Sequence, residues 1–101
     1  MRDTVIGHFP VADVEKAIAG LQANASLLEE ITEDTKAGGL IHHTFVAGKD
    51  ELVVIDEWET AEQFQSFFEG NAKVAKIMES VGVTGPPSIA FYNEVEAAGK
   101  V

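Results

Sequence analysis

The apolar and polar residues of the chain alternate with two different periods, and these periods predict an order of elements. Four strand-like runs rich in β-branched and aromatic residues are found at residues 4–9, 40–47, 51–58 and 88–95. Two other stretches, 14–28 and 64–81, place apolar residues three and four positions apart, as an amphipathic helix does. The resulting order, β-α-β-β-α-β, predicts a ferredoxin-like α+β sandwich that forms a single domain over residues 1–101.

Turn and capping residues mark the ends of the predicted elements. The pair Gly38-Gly39 ends the first helical stretch, which is predicted either as one rod or as two pieces. Thr60 and Gln63 form a capping-box pattern at the start of the second helical stretch. Residues 48–50, Gly-Lys-Asp, suit a three-residue hairpin loop between the second and third strands.

Alternation along the strands sorts their side chains onto two faces, of which the helices cover only one. The face predicted to meet the helices holds Val5, Gly7, Phe9, Ile41, His43, Phe45, Val53, Ile55, Ile89 and Phe91. The other face then holds Ile6, His8, His42, Thr44, Val54, Asp56, Trp58, Ala90 and Tyr92. This second face is too apolar for a monomer in water, so a second copy is expected to cover it and enclose a cavity.

A histidine and an aspartate are predicted to meet in that cavity. A three-residue loop at 48–50 sets His42 opposite Asp56, with Cβ atoms about 4.5–5.5 Å apart. A carboxylate beside an imidazole orients one tautomer and stabilises the imidazolium, which favours proton abstraction. The pair is therefore the predicted catalytic centre, with His8 as a second proton carrier. A two-residue loop would break this pairing.

Other roles for these polar residues compete with catalysis. The pair can serve only to satisfy polar groups at a dimer interface, and we weigh that role above the catalytic one. His8, His42 and Asp56 are permissible metal ligands but lack a diagnostic spacing, so no metal is predicted. His43 shares the apolar side of its strand and is predicted to be a core or edge histidine. It points away from His42, so the two are not expected to share a metal.

Charge and composition narrow the function classes. Seventeen acidic and seven basic residues give a net charge of −10, which disfavours nucleic acid and anionic membrane partners. There is no cysteine, so disulfides and thiolate chemistry are excluded. No apolar run approaches the ~20 residues of a membrane span, and no signal-peptide core is visible, so a cytoplasmic location is expected. Phosphate-binding loops and serine nucleophile motifs are also missing.

One stretch of the sequence carries a family resemblance. The run IDEWETAEQFQSFF, preceded by the strand GLIHHTF, resembles the antibiotic biosynthesis monooxygenase-like group of dimeric α+β barrels over about residues 4–95. The resemblance implies a homodimer, a cavity-facing Trp58, and an oxygenase that needs no cofactor. Haem-degrading members also exist, and many members carry a histidine at the point matched here by Phe67 or Phe68. Phenylalanine at that point argues against haem ligation there.

The sequence thus predicts a cofactor-independent monooxygenase that acts on an aromatic, quinol-type small molecule. A phenol or quinol would lose its proton to His42, and the electron-rich anion would react with dioxygen without metal or flavin. The residues expected to contact the substrate are Trp58, Tyr92, Thr44, Val54, Ile6 and Phe67. The alternative is a non-catalytic small-ligand-binding or assembly protein with the same dimeric fold.

Overall fold

The structure, a computed structural model, describes residues 2–100 and contains one four-stranded sheet and four helices. The strands are β1 (Asp3–Pro10), β2 (Leu40–Ala47), β3 (Glu51–Trp58) and β4 (Ser88–Asn93), and the helices are α1 (Val14–Ala23), α2 (Ala25–Ala37), α3 (Ala61–Phe68) and α4 (Ala72–Val81). The sheet is antiparallel throughout, with the strand order β2-β3-β1-β4. The predicted ferredoxin-like α+β fold is confirmed.

Each of the two helical stretches is divided into two helices by an asparagine. Asn24 ends α1 and starts α2, and its side-chain amide donates to the carbonyl of Gly20 at 2.7 Å. Asn71 follows Gly70, which has a φ of 65°, and its side chain accepts from two backbone amides in the first turn of α4. The first helical stretch therefore consists of two pieces, one of the two alternatives open from the sequence.

The start of α3 is fixed by the predicted capping box. The backbone amide of Gln63 donates to the Thr60 hydroxyl at 3.3 Å, and the backbone amide of Thr60 donates to the Gln63 side chain at 2.9 Å. Asp3 adds a long-range bond, because its carboxylate accepts from the backbone amide of Ala61 at 2.7 Å. These bonds satisfy amides that α3 leaves free and tie the helix to β1.

The core lies between the sheet and the helices and has two parts. One part joins α1 and α4 to the sheet and is built from Val11, Ala17, Leu52, Ile77 and Val81. The other part, under α3, is built from Val5, Trp58 and Phe64, with Leu40, Phe67, Phe68 and Ile89 packed around them. Trp58 is only 1% exposed, so the largest side chain of the chain anchors the second part.

The β2–β3 hairpin has a two-residue loop, and the predicted three-residue loop is wrong. The backbone amide of Gly48 donates to the carbonyl of Glu51 at 2.9 Å, and Ala47 pairs with Leu52. Only residues 49–50 therefore lie outside the pairing. Because side chains alternate along a strand, this shift of one residue reverses the predicted faces of β3.

The reversal places the polar end of β3 under the helices. Leu52, Asp56 and Trp58 are 4%, 5% and 1% exposed, whereas Val53 and Ile55 are only half-buried on the other face. The prediction that Asp56 and Trp58 face away from the helices is therefore wrong. The assignments of Val5, Phe9, Phe45, Ile89 and Phe91 to the helix side agree with the structure.

The opposite sheet face has no covering element among residues 2–100. Its apolar side chains include Ile6, Ile55, Val46 and Tyr92, of which the last two are 46% and 54% exposed. Among the described residues, no helix is both long and apolar enough to cross a membrane.

Candidate functional site

A cavity lies between the sheet and the helices of a single chain, on the side opposite to the one predicted. It has a free volume of about 110 Å³. All four strands and all four helices contribute to its walls. Its apolar lining includes Val5, Phe9, Leu21, Leu28, Ile31, Phe45, Leu52, Val54, Phe64, Phe67, Phe68, Ile77, Met78 and Ile89. A partly open apolar space has the character of a small-molecule site, and this one is smaller than the roughly 300–1,000 Å³ usual for drug-sized ligands.

Two ionisable side chains interrupt this apolar wall. Of the described residues that line the cavity, only His43 and Asp56 have ionisable side chains. Nδ1 of His43 is hydrogen-bonded to Oδ1 of Asp56. Asp56 is buried, and the His43 side chain is 30% exposed. The pair therefore lies where the cavity approaches solvent, with the acid on the inner side.

Trp58 holds the second oxygen of the aspartate. Its indole Nε1–H donates to Oδ2 of Asp56 at 3.1 Å. Asp56 thus accepts a bond at each carboxylate oxygen, and these bonds offset part of the cost of burying its charge. Trp58 supports the carboxylate from within the core. It does not supply a face of the cavity, although the prediction placed it against the substrate.

The pattern of hydrogen bonds assigns the histidine tautomer. An ionised carboxylate can only accept, so the proton between the two residues belongs to Nδ1 of His43. In the neutral ring, Nε2 then keeps its lone pair and can accept a proton. The ring also packs edge-on against Phe45, with centroids 4.6 Å apart. A histidine oriented by a carboxylate in this way has the arrangement of a general base.

Strand geometry explains why these three residues meet. Asp56 and Trp58 are two residues apart on β3, so both point to the helix side. His43 lies directly opposite Asp56 on the neighbouring strand, and opposed side chains share a face. An irregularity between Leu40 and His42 leaves the rest of the pairing in register.

The predicted pairing of His42 with Asp56 is wrong. His42 lies opposite Glu57 and points to the uncovered face of the sheet. His8 is on that same face, with Nδ1 2.8 Å from a carboxylate oxygen of Glu51. Neither histidine shares a site with Asp56, and His43, predicted to be a core or edge residue, takes the position beside it.

The predicted substrate contacts divide between the two faces. Val54 and Phe67 line the cavity. Ile6, Thr44 and Tyr92 lie on the opposite face of the sheet, because the residues that alternate with them face the helices.

Within residues 2–100, no group of three or more histidine, aspartate and glutamate side chains is placed to hold a metal ion.

Comparisons with known proteins identify the fold. No protein-family model and no curated protein matches the chain by sequence. Similar solved structures include a monooxygenase from the gene ActVA-Orf6 of Streptomyces coelicolor, in complex with nanaomycin D. It is 19% identical, with a TM-score of 0.69 over 98% of this chain and 92% of that one.

Two further structures bear on the architecture. A dimeric ferredoxin-like protein from an uncultured marine organism has a TM-score of 0.71 at 12% identity, over 96% of this chain and 98% of that one. SnoaB, a cofactor-independent oxygenase from Streptomyces nogalater, has a TM-score of 0.55 at 13% identity, over 98% of both chains. The resemblance to antibiotic biosynthesis monooxygenase-like proteins is thus confirmed at the level of the fold.

Proposed function

We propose that the protein is a cofactor-independent monooxygenase of a quinol-type aromatic compound, with the reaction in the cavity between sheet and helices. The observation that carries the proposal is the hydrogen-bonded pair of His43 and Asp56 in an otherwise apolar cavity. A single oriented base in an apolar space suits proton removal from a weakly acidic ring hydroxyl. Two of the solved structures with this fold are oxygenases, which supports the same reaction class.

The reaction begins with a proton transfer to His43. Nε2 takes the proton of a ring hydroxyl, and Asp56 stabilises the imidazolium that forms. The resulting anion is electron-rich enough to reduce dioxygen. One oxygen atom forms a bond to a ring carbon, and the other leaves as water with two hydrogens from the quinol. The product is a hydroxyquinone, and the four electrons come from the quinol itself, so no separate reductant is needed.

Oxygen uptake with a panel of monocyclic and bicyclic quinols tests this function. We expect uptake above the autoxidation rate, with one dioxygen consumed per hydroxyquinone formed. Autoxidation instead yields the unsubstituted quinone and hydrogen peroxide, so a peroxide assay separates the two reactions. Uptake equal to the background, with only peroxide formed, would contradict the oxygenase and leave a non-catalytic ligand-binding protein.

The protein also forms a homodimer in this proposal, through the uncovered sheet face. That face exposes Val46 and Tyr92 beside half-buried Ile6 and Ile55, which water solvates poorly. Similar structures include dimeric ferredoxin-like proteins. A second copy related by a twofold axis would cover the exposed sheet face of each chain with that of the other.

Light scattering at micromolar concentration is expected to give twice the chain mass of 10.8 kDa. Ile55→Glu, which puts a charge in the middle of the face, is expected to give the mass of one chain. The matched variant Glu62→Gln, at an exposed position of α3, should keep the wild-type mass. A monomer mass for the wild type would contradict the dimer.

A further inference from the structure

The cavity lies beside a groove on the surface of the same chain. This groove runs between the junction of α1 and α2 and the second half of β2, and it has a free volume of about 530 Å³. Leu21, Leu28, Phe45 and Leu52 line both spaces. Four shared wall residues place the cavity and the groove next to each other.

The size of the inner part limits what can bind beside His43. About 110 Å³ of free volume is close to that of an engineered apolar cavity of roughly 150 Å³ that accepts benzene. One aromatic ring therefore fits in the inner part with a small adjustment of the walls. A fused system of three or four rings does not, but a single ring that carries a narrow substituent can extend into the groove.

The groove has the chemistry of a site for an uncharged apolar chain. Its walls include Ile18, Leu21 and Leu28, with Gln22 and Glu29 as the polar residues at its edge. None of the described residues that line it is basic, so a carboxylate would find no cation there. Glu29 and the net charge of −10 would repel such a group.

Phe45 lies at the junction of the two spaces. Its ring contacts the imidazole of His43, and the residue is 38% exposed. A substituent that leaves a ring bound at His43 toward the groove must pass this side chain.

We propose that the ligand is a monocyclic phenol or quinol that carries an uncharged alkyl or alkenyl chain. The ring hydroxyl meets His43, and the chain passes Phe45 into the groove. The chemistry of the ring rests on the proposed function, whereas the binding of the chain depends only on the shape and polarity of the groove.

Calorimetric titration with 4-alkylphenols from methyl to hexyl tests the chain site without turnover, because these phenols are not quinols. Each methylene that enters the groove is expected to tighten binding by up to about fourfold. Hexanoate, which has an apolar chain and a carboxylate, is expected to bind at least tenfold more weakly than 4-hexylphenol. Equal affinity along the series would overturn the proposal.

A variant that fills the groove locates the chain. Ala25 lines the groove but not the cavity, and it is exposed at the start of α2. Ala25→Phe is expected to remove most of the chain-length gain and to leave the affinity for 4-methylphenol within twofold. The matched control Ala19→Phe, at an exposed position of α1 outside both spaces, should bind the series like the wild type. Equal losses for methyl and hexyl compounds in Ala25→Phe would overturn the proposal.

The proposed oxygenase activity and the proposed chain site can be contradicted independently of each other. A flat chain-length series together with quinol-dependent oxygen uptake would remove the chain site and keep the oxygenase. A steep series without oxygen uptake would keep the chain site and identify a binding protein.

Discussion

His43→Gln is expected to lower kcat/KM for quinol oxygenation by about 10²–10⁴-fold, the usual contribution of a positioned general base. Glutamine is close in size to histidine and can still hydrogen-bond to Asp56, but it has no nitrogen that accepts a proton near neutral pH. The fold should therefore persist while proton abstraction fails. Oxygen uptake and hydroxyquinone formation, compared at equal enzyme concentration, measure the loss.

The adjacent histidine provides a matched control. His42→Gln makes the same chemical change one residue away, but on the face of β2 that points away from the cavity. We expect kcat/KM to stay within about twofold of the wild type, once light scattering shows that the assembly is unchanged. If His42→Gln were the damaging variant and His43→Gln the silent one, the assignment of the base would be wrong.

Asp56→Asn extends the same test to the tautomer. The asparagine oxygen can still accept from Trp58, and its NH₂ group then faces Nδ1 of His43. Nδ1 must accept, so the proton moves to Nε2 and the ring can no longer act as a base toward the cavity. Long-range ¹H–¹⁵N spectra of the imidazole report the tautomer directly, and Glu57→Gln on the opposite face should leave it unchanged.

Gly39→Ala is expected to lower the free energy of unfolding by about 3 kcal/mol, through backbone strain and a damaged helix cap. Gly39 is buried and has a φ of 113°, a conformation that L-residues rarely adopt. A methyl group there would also overlap the side-chain amide of Gln63, which caps α3. Urea unfolding at fixed protein concentration measures the change.

Gly38→Ala is the matched control for Gly39→Ala. Gly38 has a φ of −93°, and the nearest atoms to an added Cβ are carbonyl oxygens at 3.6 Å, an ordinary contact. Gly38→Ala is therefore expected to leave the stability unchanged or to raise it by up to about 1 kcal/mol, because the unfolded chain loses freedom. Equal destabilisation by both substitutions would show that neither the strain at Gly39 nor the overlap with Gln63 is the cause.

The architecture could be predicted because several local signals agree. Helical and strand periods, the capping box of Thr60 and Gln63, and the glycines after the helices all favour one element order. The face of β3 could not be predicted from its own residues. Residues 52–55 are Leu-Val-Val-Ile, so either alternating set could face a core. Only the length of the hairpin loop determines which set does.

The prediction of the site is wrong for the same reason, because it depends on which face of β3 meets the helices. The prediction places Asp56 on the face away from the helices, although a carboxylate that receives two hydrogen bonds can be buried. The donors are a histidine from another strand and the indole of Trp58, and their proximity depends on the register. The residue types of the site, one histidine, one aspartate and one tryptophan, were visible in the sequence, but the choice between His42 and His43 was not.

The two-residue hairpin loop also limits how this chain can tolerate insertions and deletions. If the loop keeps two residues outside the pairing, adding or removing one residue at 49–50 shifts the register of β3 by one, which would bring Val53 and Ile55 under the helices and move Asp56 to the outer surface. The β3 side chains on the outer surface of the sheet and those in the cavity wall would change places. Changes of two residues preserve the alternation, so length variants of this loop are expected to be tolerated in even steps only.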